Sequence, residues 1–339
     1  MRVFIGNLPP ESDEASVRRA CQASGAVTSV DVAPAGGSGR AARFALVEMP
    51  RDAEARAALG RLNAEGLDGR SVSASEVPEG VALRESPTFS SFLTFLGGRP
   101  FRATRELFSM VAELAAGGHT WVMTLDDPAA ACVVRHPRLV SWIEGLSFLT
   151  MGPLEGPLEW NLARLGAARV LGVEGYRPNY LKCRVLLEAF PSLPVAFAEG
   201  DLARLPVQAG FEVVICSGVL YHLHEPQALL RTIRASNPRR VYLTTQAAVD
   251  PPHPAFSWYR LGAAASVAAE GGTYRGRWYP DVRPAPDDYH AGLDGRPSFW
   301  FYPEELRRLL PELGFGIEEF VVKDARNAGM LVDAILTVP

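Results

Sequence analysis

Lysine is nearly absent from this chain of 339 residues: of 34 basic side chains, only Lys182 and Lys323 are lysines. The arginines do not make up a broad positive field either, because the net charge is −4. Recognition of nucleic acid by overall charge is thereby disfavoured, and any such contact has to be local. Cysteine is also scarce. Cys21, Cys132, Cys183 and Cys216 stand too far apart for a metal-ligand pair and read as reduced core thiols. No stretch of 18 uninterrupted apolar residues occurs, so neither a transmembrane helix nor a membrane partner is expected. The opening Val3-Phe4-Ile5 reads as a strand in the place where a leader would carry a basic then apolar run, and a cytoplasmic location is expected. Internal repeats and low-complexity tracts are missing. What is present is 47% hydrophobic residues, enough for a sizeable core, and a length that predicts two or three domains.

The first 77 residues have their own rhythm. Arg2–Asn7 is strand-like, and Glu11–Ser24 carries helix signals with Ser12 as N-cap and Gly25 as stop. Val27–Val32 and Arg43–Met49 read as strands on either side of a Gly-rich turn, Asp52–Leu62 as a helix, and Val72–Ala74 as a last strand. The order β-α-β-β-α-β is the ferredoxin-like split βαβ arrangement. Residues 78–88 read as a linker and 89–145 as a largely helical extension, with one helix over Ala103–Ala116.

From residue 146 to 339 strands and helices alternate. Ser147–Met151, Arg169–Glu174, Val195–Glu199, Phe211–Ser217 and Val241–Gln246 read as strands, with helices from Pro157, through Lys182–Phe190 and over Pro226–Ser236. This alternation predicts a doubly wound parallel sheet of the α/β class. Residues 247–298 form an insertion too long for an ordinary connection and read as a lid or acceptor site. A helix over Pro303–Leu313 and an antiparallel hairpin, Ile317–Val322 with Met330–Val338, end the pattern.

Val3-Phe4-Ile5-Gly6-Asn7-Leu8 and Ala42-Arg43-Phe44-Ala45-Leu46-Val47-Glu48-Met49 resemble the two strand motifs of the RNA recognition motif (RRM) family. In that family, aromatic side chains on the open sheet face stack with unpaired bases. The resemblance implies single-stranded RNA as a partner, with Phe4, Phe44, Arg43 and Leu46 as contact residues. Leu46 and Met49 stand where the family carries aromatics, and the acidic balance of residues 1–80 opposes phosphate contact. The alternative is a sheet face that packs against protein.

In the second half, Phe148-Leu149-Thr150-Met151-Gly152-Pro153-Leu154-Glu155-Gly156 is a strand, a tight turn and a helix start. Gly152 and Gly156 let a ligand approach the backbone, and the helix start offers unpaired N–H groups. Glu174 falls at the next strand end, at the distance along the chain where a carboxylate reaches ribose hydroxyls. With Gly200-Asp201-Leu202 after the third strand, the closing hairpin, and Val214–Leu223, this half resembles a class I S-adenosylmethionine-dependent methyltransferase with a Rossmann-like sheet. Gly276–Tyr279 and Arg296–Trp300 are similar to a bacterial branch of it. The resemblance implies S-adenosyl-L-methionine as cofactor, held by Gly152, Glu155, Gly156, Glu174, Asp201, Leu202 and Ser217. Thr150 stands where related chains carry Glu, and Glu155 is expected to supply that charge.

The cofactor's methyl is already activated, so the protein mainly aligns a nucleophile and excludes water. Tyr221 and His222 follow the fourth strand, facing that methyl, and are the catalytic candidates, His222 as general base or else as a backbone-bonded structural histidine. His222 with His224 makes an H-x-H pair, but no third ligand is evident and no metal is expected. The Asn/Asp-Pro-Pro-aromatic signature of amino-group modification is missing. Arg277, Trp278, His290 and Trp300 are the acceptor-site candidates, for an RNA, small-molecule or sugar acceptor. The rival to an enzyme is an RNA-binding or scaffold protein with a catalytically silent Rossmann-like domain.

Overall fold

The computed structural model describes residues 1–33, 43–127, 136–249, 261–280, 295–325 and 329–339. The chain divides into two compact units. The first takes residues 1–132, 155–161 and 181–193, and the second takes 133–154, 162–180 and 194–339.

In the first unit β1 (Arg2–Gly6), α1 (Glu14–Gln22), β2 (Ser29–Val32), β3 (Ala45–Glu48), α2 (Asp52–Glu65) and β4 (Ser73–Val77) build a four-stranded antiparallel sheet in the order β2-β3-β1-β4. Alternation sends Val3 and Ile5 of β1, with Ala45 and Val47 of β3, into a core shared with Val17 and Cys21 of α1 and Ala55, Ala58 and Leu62 of α2. The N-cap of α1 is Asp13, not Ser12. The Asp13 carboxylate accepts the Ser16 amide at 2.7 Å and the Ser16 hydroxyl accepts the Asp13 amide at 3.0 Å, a reciprocal box that Ser12, buried, does not make. These bonds hold the Asp13 carboxyl below its ordinary range.

Two helices follow in the same unit. Ser86 caps α3 (Pro87–Leu96), whose first residue is the proline favoured there, and Gly97 ends it at φ 60°. Thr104 caps α4 (Arg105–Ala116) by accepting the Leu107 amide. The first two helices of the extension, α3 and α4, therefore belong to the N-terminal unit, while its last residues, from 133, belong to the second. Phe89 of α3, Phe108 of α4 and Phe101 between them lie against Phe4, at ring separations of 5.9, 4.8 and 6.0 Å. Phe4 and Phe44 do share one face, stacked at 5.4 Å. That face is a core: Phe4 is 0% and Phe44 7% exposed. Leu46, opposite Phe4 in the β1–β3 register, is buried as well, and the Arg43 guanidinium donates to the Pro10 carbonyl. The expectation of an open platform for bases is corrected here. The extension's own phenylalanines occupy the place a base would take.

The second unit contains α5 (Pro137–Ile143), β5 (Ser147–Met151), β6 (Arg169–Glu174), β7 (Val195–Glu199), β8 (Val213–Ser217), α8 (Pro226–Ala235), β9 (Arg240–Ala247), α9 (Pro303–Glu312), β13 (Gly316–Ala325) and β14 (Gly329–Thr337). Helices α6 (Pro157–Arg164) and α7 (Arg177–Ala189) connect β5 to β6 and β6 to β7, and the unit boundary runs through both. Seven strands form one sheet, in the order β13-β14-β9-β8-β5-β6-β7. The five strands from β9 to β7 are parallel, while β14 lies antiparallel between β9 and β13. From β5 the chain steps outward to β6 and β7, then returns to β5's other side with β8 and β9. The switch point lies at the carboxyl ends of β5 and β8, where open α/β sheets bind ligands. Leu229, Leu230 and Ile233 of α8 and Leu306, Leu309 and Leu310 of α9 share a core with Leu149, Val214 and Leu243 of the strands.

The insertion holds a structure that hydrophobic patterning did not reveal. β10 (Ala264–Ala269) and β11 (Gly272–Tyr279) form a hairpin, and β12 (Ser298–Phe301) pairs with β11 in a second, three-stranded sheet. The two-residue turn Glu270-Gly271 has positive φ at both positions, 46° and 76°.

Candidate active site

The carboxyl ends of β5 and β6 bring the first group together. After Met151 the backbone turns through Gly152 at φ 65°, Leu154 at 56° and Gly156 at 89°. Gly152 is required twice over, since a Cβ there would also meet Val219 at 2.7 Å. Leu154 has no such freedom and holds a left-handed backbone at a strain cost of about 1–2 kcal/mol. Its amide donates to Glu174 Oε2 at 2.9 Å, and the Tyr176 amide donates to Glu174 Oε1 at 2.8 Å. Glu174, 5% exposed, therefore sits at the tip of β6 with its carboxylate held against the turn of β5.

Glu155 does a different job from the one expected of it. In the first unit its carboxylate receives the Lys182 ammonium at 2.7 Å and the amides of Val122 and Met123 at 3.0 and 2.8 Å. Both charged side chains are almost fully buried, 2% and 4% exposed. A carboxylate engaged by an ammonium and two amides serves its own loop and is not offered to a ligand's amine. Thr150 is buried within the sheet.

Asp201 is exposed and caps the single turn Leu202–Arg204, accepting the Ala203 amide at 2.9 Å, while Leu202 is buried beneath it. Ser217, the last residue of β8, shares a hydrogen bond with Thr244 Oγ1 of β9 at 2.9 Å, matching their register. Gly218 then turns at φ 72°, and the chain enters a single turn over Leu220–His222. The rings of Tyr221 and His222 lie 4.2 Å apart, tilted by 38°. A methyl built on Gly218 would stand 3.9 Å from the Tyr221 hydroxyl, so that hydroxyl reaches back to the end of β8. Burial pushes the Tyr221 hydroxyl up to about 12. It stays protonated at neutral pH, a donor and not a base.

The acceptor candidates divide. Arg277 is 8% exposed and its guanidinium bonds Tyr302 Oη at 3.1 Å and the Gly262 carbonyl at 2.6 Å. These bonds tie the flanks of the three-stranded sheet together and engage the guanidinium that was expected at the acceptor site. Trp278 stacks on His224 at 4.8 Å, and His224 Nδ1 is bonded to the Pro297 carbonyl at 2.7 Å. Trp300 is 1% exposed, stacked on Tyr279 and edge-on to Tyr221, both at 5.4 Å. His290 lies outside the described residues. Among the described residues no group of three or more His, Cys, Asp or Glu is placed to hold a metal ion. Sequence reasoning did not single out Gln246, at the carboxyl end of β9, whose side-chain oxygen is buried without a hydrogen-bond partner among the described residues.

The family model of the RNA recognition motif matches residues 3–73, and that of a methyltransferase domain matches residues 149–236. The chain thus joins an RRM-type domain to a methyltransferase domain. Among curated proteins none matches the chain. Solved structures with a similar fold include the N-terminal domain of EvdMO1 in the presence of SAH and D-fucose, 18% identical, covering 65% of this chain and 85% of that one with a TM-score of 0.45. Magnesium protoporphyrin IX methyltransferase (ChlM) from Synechocystis PCC 6803 with bound SAH is 16% identical, covering 68% and 87%, TM-score 0.44. Burkholderia thailandensis 1,6-didemethyltoxoflavin-N1-methyltransferase is 15% identical, covering 69% and 87%, TM-score 0.43. No helix among the described residues is long and apolar enough to cross a membrane.

Proposed function

We propose that this protein binds S-adenosyl-L-methionine at the carboxyl ends of β5, β6 and β7 and transfers its methyl group to a small-molecule acceptor. The observation that carries the reading is Glu174, a buried carboxylate fixed by two backbone amides and facing a turn of left-handed residues. The donor set fits an adenosyl group. Glu174 suits a ribose diol as an ionised acceptor, Asp201 suits an exocyclic amine, and the Gly152 turn admits the ligand's chain close to backbone.

Bound there, with Gly152, Glu174 and Asp201 as the residues that would hold it, the cofactor would supply an activated sulfonium methyl group for transfer. The residues after β8 manage the acceptor. Tyr221 keeps its proton and orients by hydrogen bonding. His222 takes the acceptor's proton at its unprotonated ring nitrogen, a contribution of about 10²–10⁴-fold. Ser217 and Thr244 lock the ends of β8 and β9 in register beneath this turn. RNA stacked on Phe4 and Phe44 has no part in the reading, because those rings are enclosed in the first unit.

The test is calorimetry of S-adenosylmethionine with the wild type and Glu174→Ala. A lost charge-assisted bond costs about 1.5–3 kcal/mol, so the variant binds at least about tenfold more weakly. A folded wild type that binds no cofactor overturns the reading.

A further inference from the structure

Four neighbouring strands of the large sheet, β8, β5, β6 and β7, are each followed by a glycine: Gly218, Gly152, Gly175 and Gly200. A rim built this way carries no side chain at the strand ends, so a ligand can lie close to backbone. The backbone is stitched across the rim. The Gly152 amide donates to the Val173 carbonyl at 2.9 Å, and the Gly200 amide donates to the Glu174 carbonyl at 3.0 Å.

Leu154 breaks this pattern. Its φ of 56° lies in the left-handed region, where glycine is unstrained and leucine is not. The chain nevertheless places an isobutyl group there, and burial in the fold does not offset the strain. Pro153 before it and Glu155 after it are buried, whereas Leu154 is 40% exposed. A strained residue whose side chain folding leaves largely wet points to a contact made on binding. Glu174 gives the place of that contact. The Leu154 amide donates to Glu174 Oε2 at 2.9 Å, so the side chain leaves the backbone next to the carboxylate that suits a ribose diol. A diol on that carboxylate brings the carbon atoms of its ring beside Leu154, and packing on them removes the remaining apolar surface from water.

We propose that Leu154 is a cofactor-binding residue whose isobutyl group packs on the carbon skeleton of the sugar that Glu174 holds. The proposal rests on the methyltransferase reading above and adds a contact to that same site. Glycine at this position would relieve the backbone and forfeit the contact, so stability and affinity move in opposite directions there.

The experiment is calorimetric titration of S-adenosylhomocysteine into the full chain at several temperatures, with the wild type, Leu154→Met, Leu154→Ala and Leu154→Gly, each with its melting temperature. Covering the exposed 40% of Leu154 accounts for a factor of about three to eight in affinity. The Ala and Gly variants both bind that much more weakly, with a less negative heat-capacity change on binding, although Gly melts above Ala. The Met variant keeps the apolar length and stays within about twofold of the wild type. Unchanged affinity in the folded Ala variant overturns the proposal. So does weakening confined to Gly, which marks a loosened turn, or a Met variant as weak as Ala. A folded wild type that binds no S-adenosylhomocysteine is a different result: it removes the methyltransferase reading, and this proposal with it.

Discussion

Truncating Phe4 separates two accounts of the N-terminal sheet. On an RNA platform the ring faces solvent and Phe4→Ala changes stability by no more than about 0.5 kcal/mol. In this structure Phe4 is 0% exposed and lies within 6.0 Å of Phe44, Phe89, Phe101 and Phe108, measured between ring centres. Removing a fully buried phenyl ring costs about 3–5 kcal/mol, the upper part applying where the neighbours cannot close in. Four aromatic neighbours, one on β3's approach and three on or between α3 and α4, are poorly placed to collapse together. The upper half of that range is expected. Against an unfolding slope in urea of about 2 kcal/mol per molar, the midpoint of the transition that unfolds the first unit moves down by about 2 M. Urea titration of the full chain by far-UV circular dichroism reads this directly, and Phe4→Leu, which keeps most of the volume, shifts it far less. A midpoint unchanged by Phe4→Ala would refute the enclosed core, and RNA affinity lost at the same time would restore the open platform.

Other consequences follow from single contacts. Lys182→Met leaves the Glu155 carboxylate buried without its ammonium and destabilises the first unit by about 3–5 kcal/mol, whereas adding Glu155→Gln to it recovers part of the loss in a denaturation cycle. At residue 154 the left-handed backbone makes Leu154→Gly more stable than Leu154→Ala by about 1 kcal/mol, a comparison that cancels the lost side chain; equal melting temperatures would contradict the strain. Burial raises Cys21 to about 11 and Cys216 and Tyr221 to about 12, from ordinary values of 9.0, 9.0 and 10.0. The native state then holds protons that the unfolded chain releases, so their contribution is complete below pH 9 and declines as pH rises toward 12, visible as a falling urea midpoint. Native Cys216 also resists alkylation by iodoacetamide at pH 8, while denatured protein reacts.

Much of the second unit was legible in the residues. Ser147–Met151, Arg169–Glu174 and Val195–Glu199 appear as strands with the ends that the apolar runs suggested; β5 and β6 lie inside the parallel sheet and are apolar on both faces, and β7, at its edge, keeps Phe197 buried. Glu174 was legible for the same reason: chain distance from Gly152 places it at a strand end regardless of side-chain detail. The N-cap of α1 was off by one residue, since Ser12 and Asp13 are both good caps and only the Ser16 partner three residues on chooses between them. Glu155 was misassigned because its partners, Lys182 and the amides of 122 and 123, are distant in sequence. The hairpin of β10 and β11 went unseen, although Glu270-Gly271 is a reasonable two-residue turn, because Gly and Ala weaken the alternation on either side.

The aromatic motif of the N-terminal sheet shows why a motif alone does not settle a function. Phe4 and Phe44 stand on one face because alternation and register require it, and both were predictable. Whether that face meets a base or a side chain depends on what covers it, and covering is a property of the next segment. Phe89, Phe92, Phe95, Phe101 and Phe108 stand within 20 residues of one another, a density of aromatic surface that two short helices cannot bury between themselves. A strand face with two exposed rings and a neighbouring pair of helices with surplus rings satisfy each other by apolar burial, without the ordering of a nucleic acid or the phosphate contacts that an acidic domain resists. The signal was therefore in the extension and not in the motif. The four-stranded sheet of the first unit thus gives α3 and α4 the surface on which their phenylalanines pack, and that packing, not the motif, decides what its aromatic face meets.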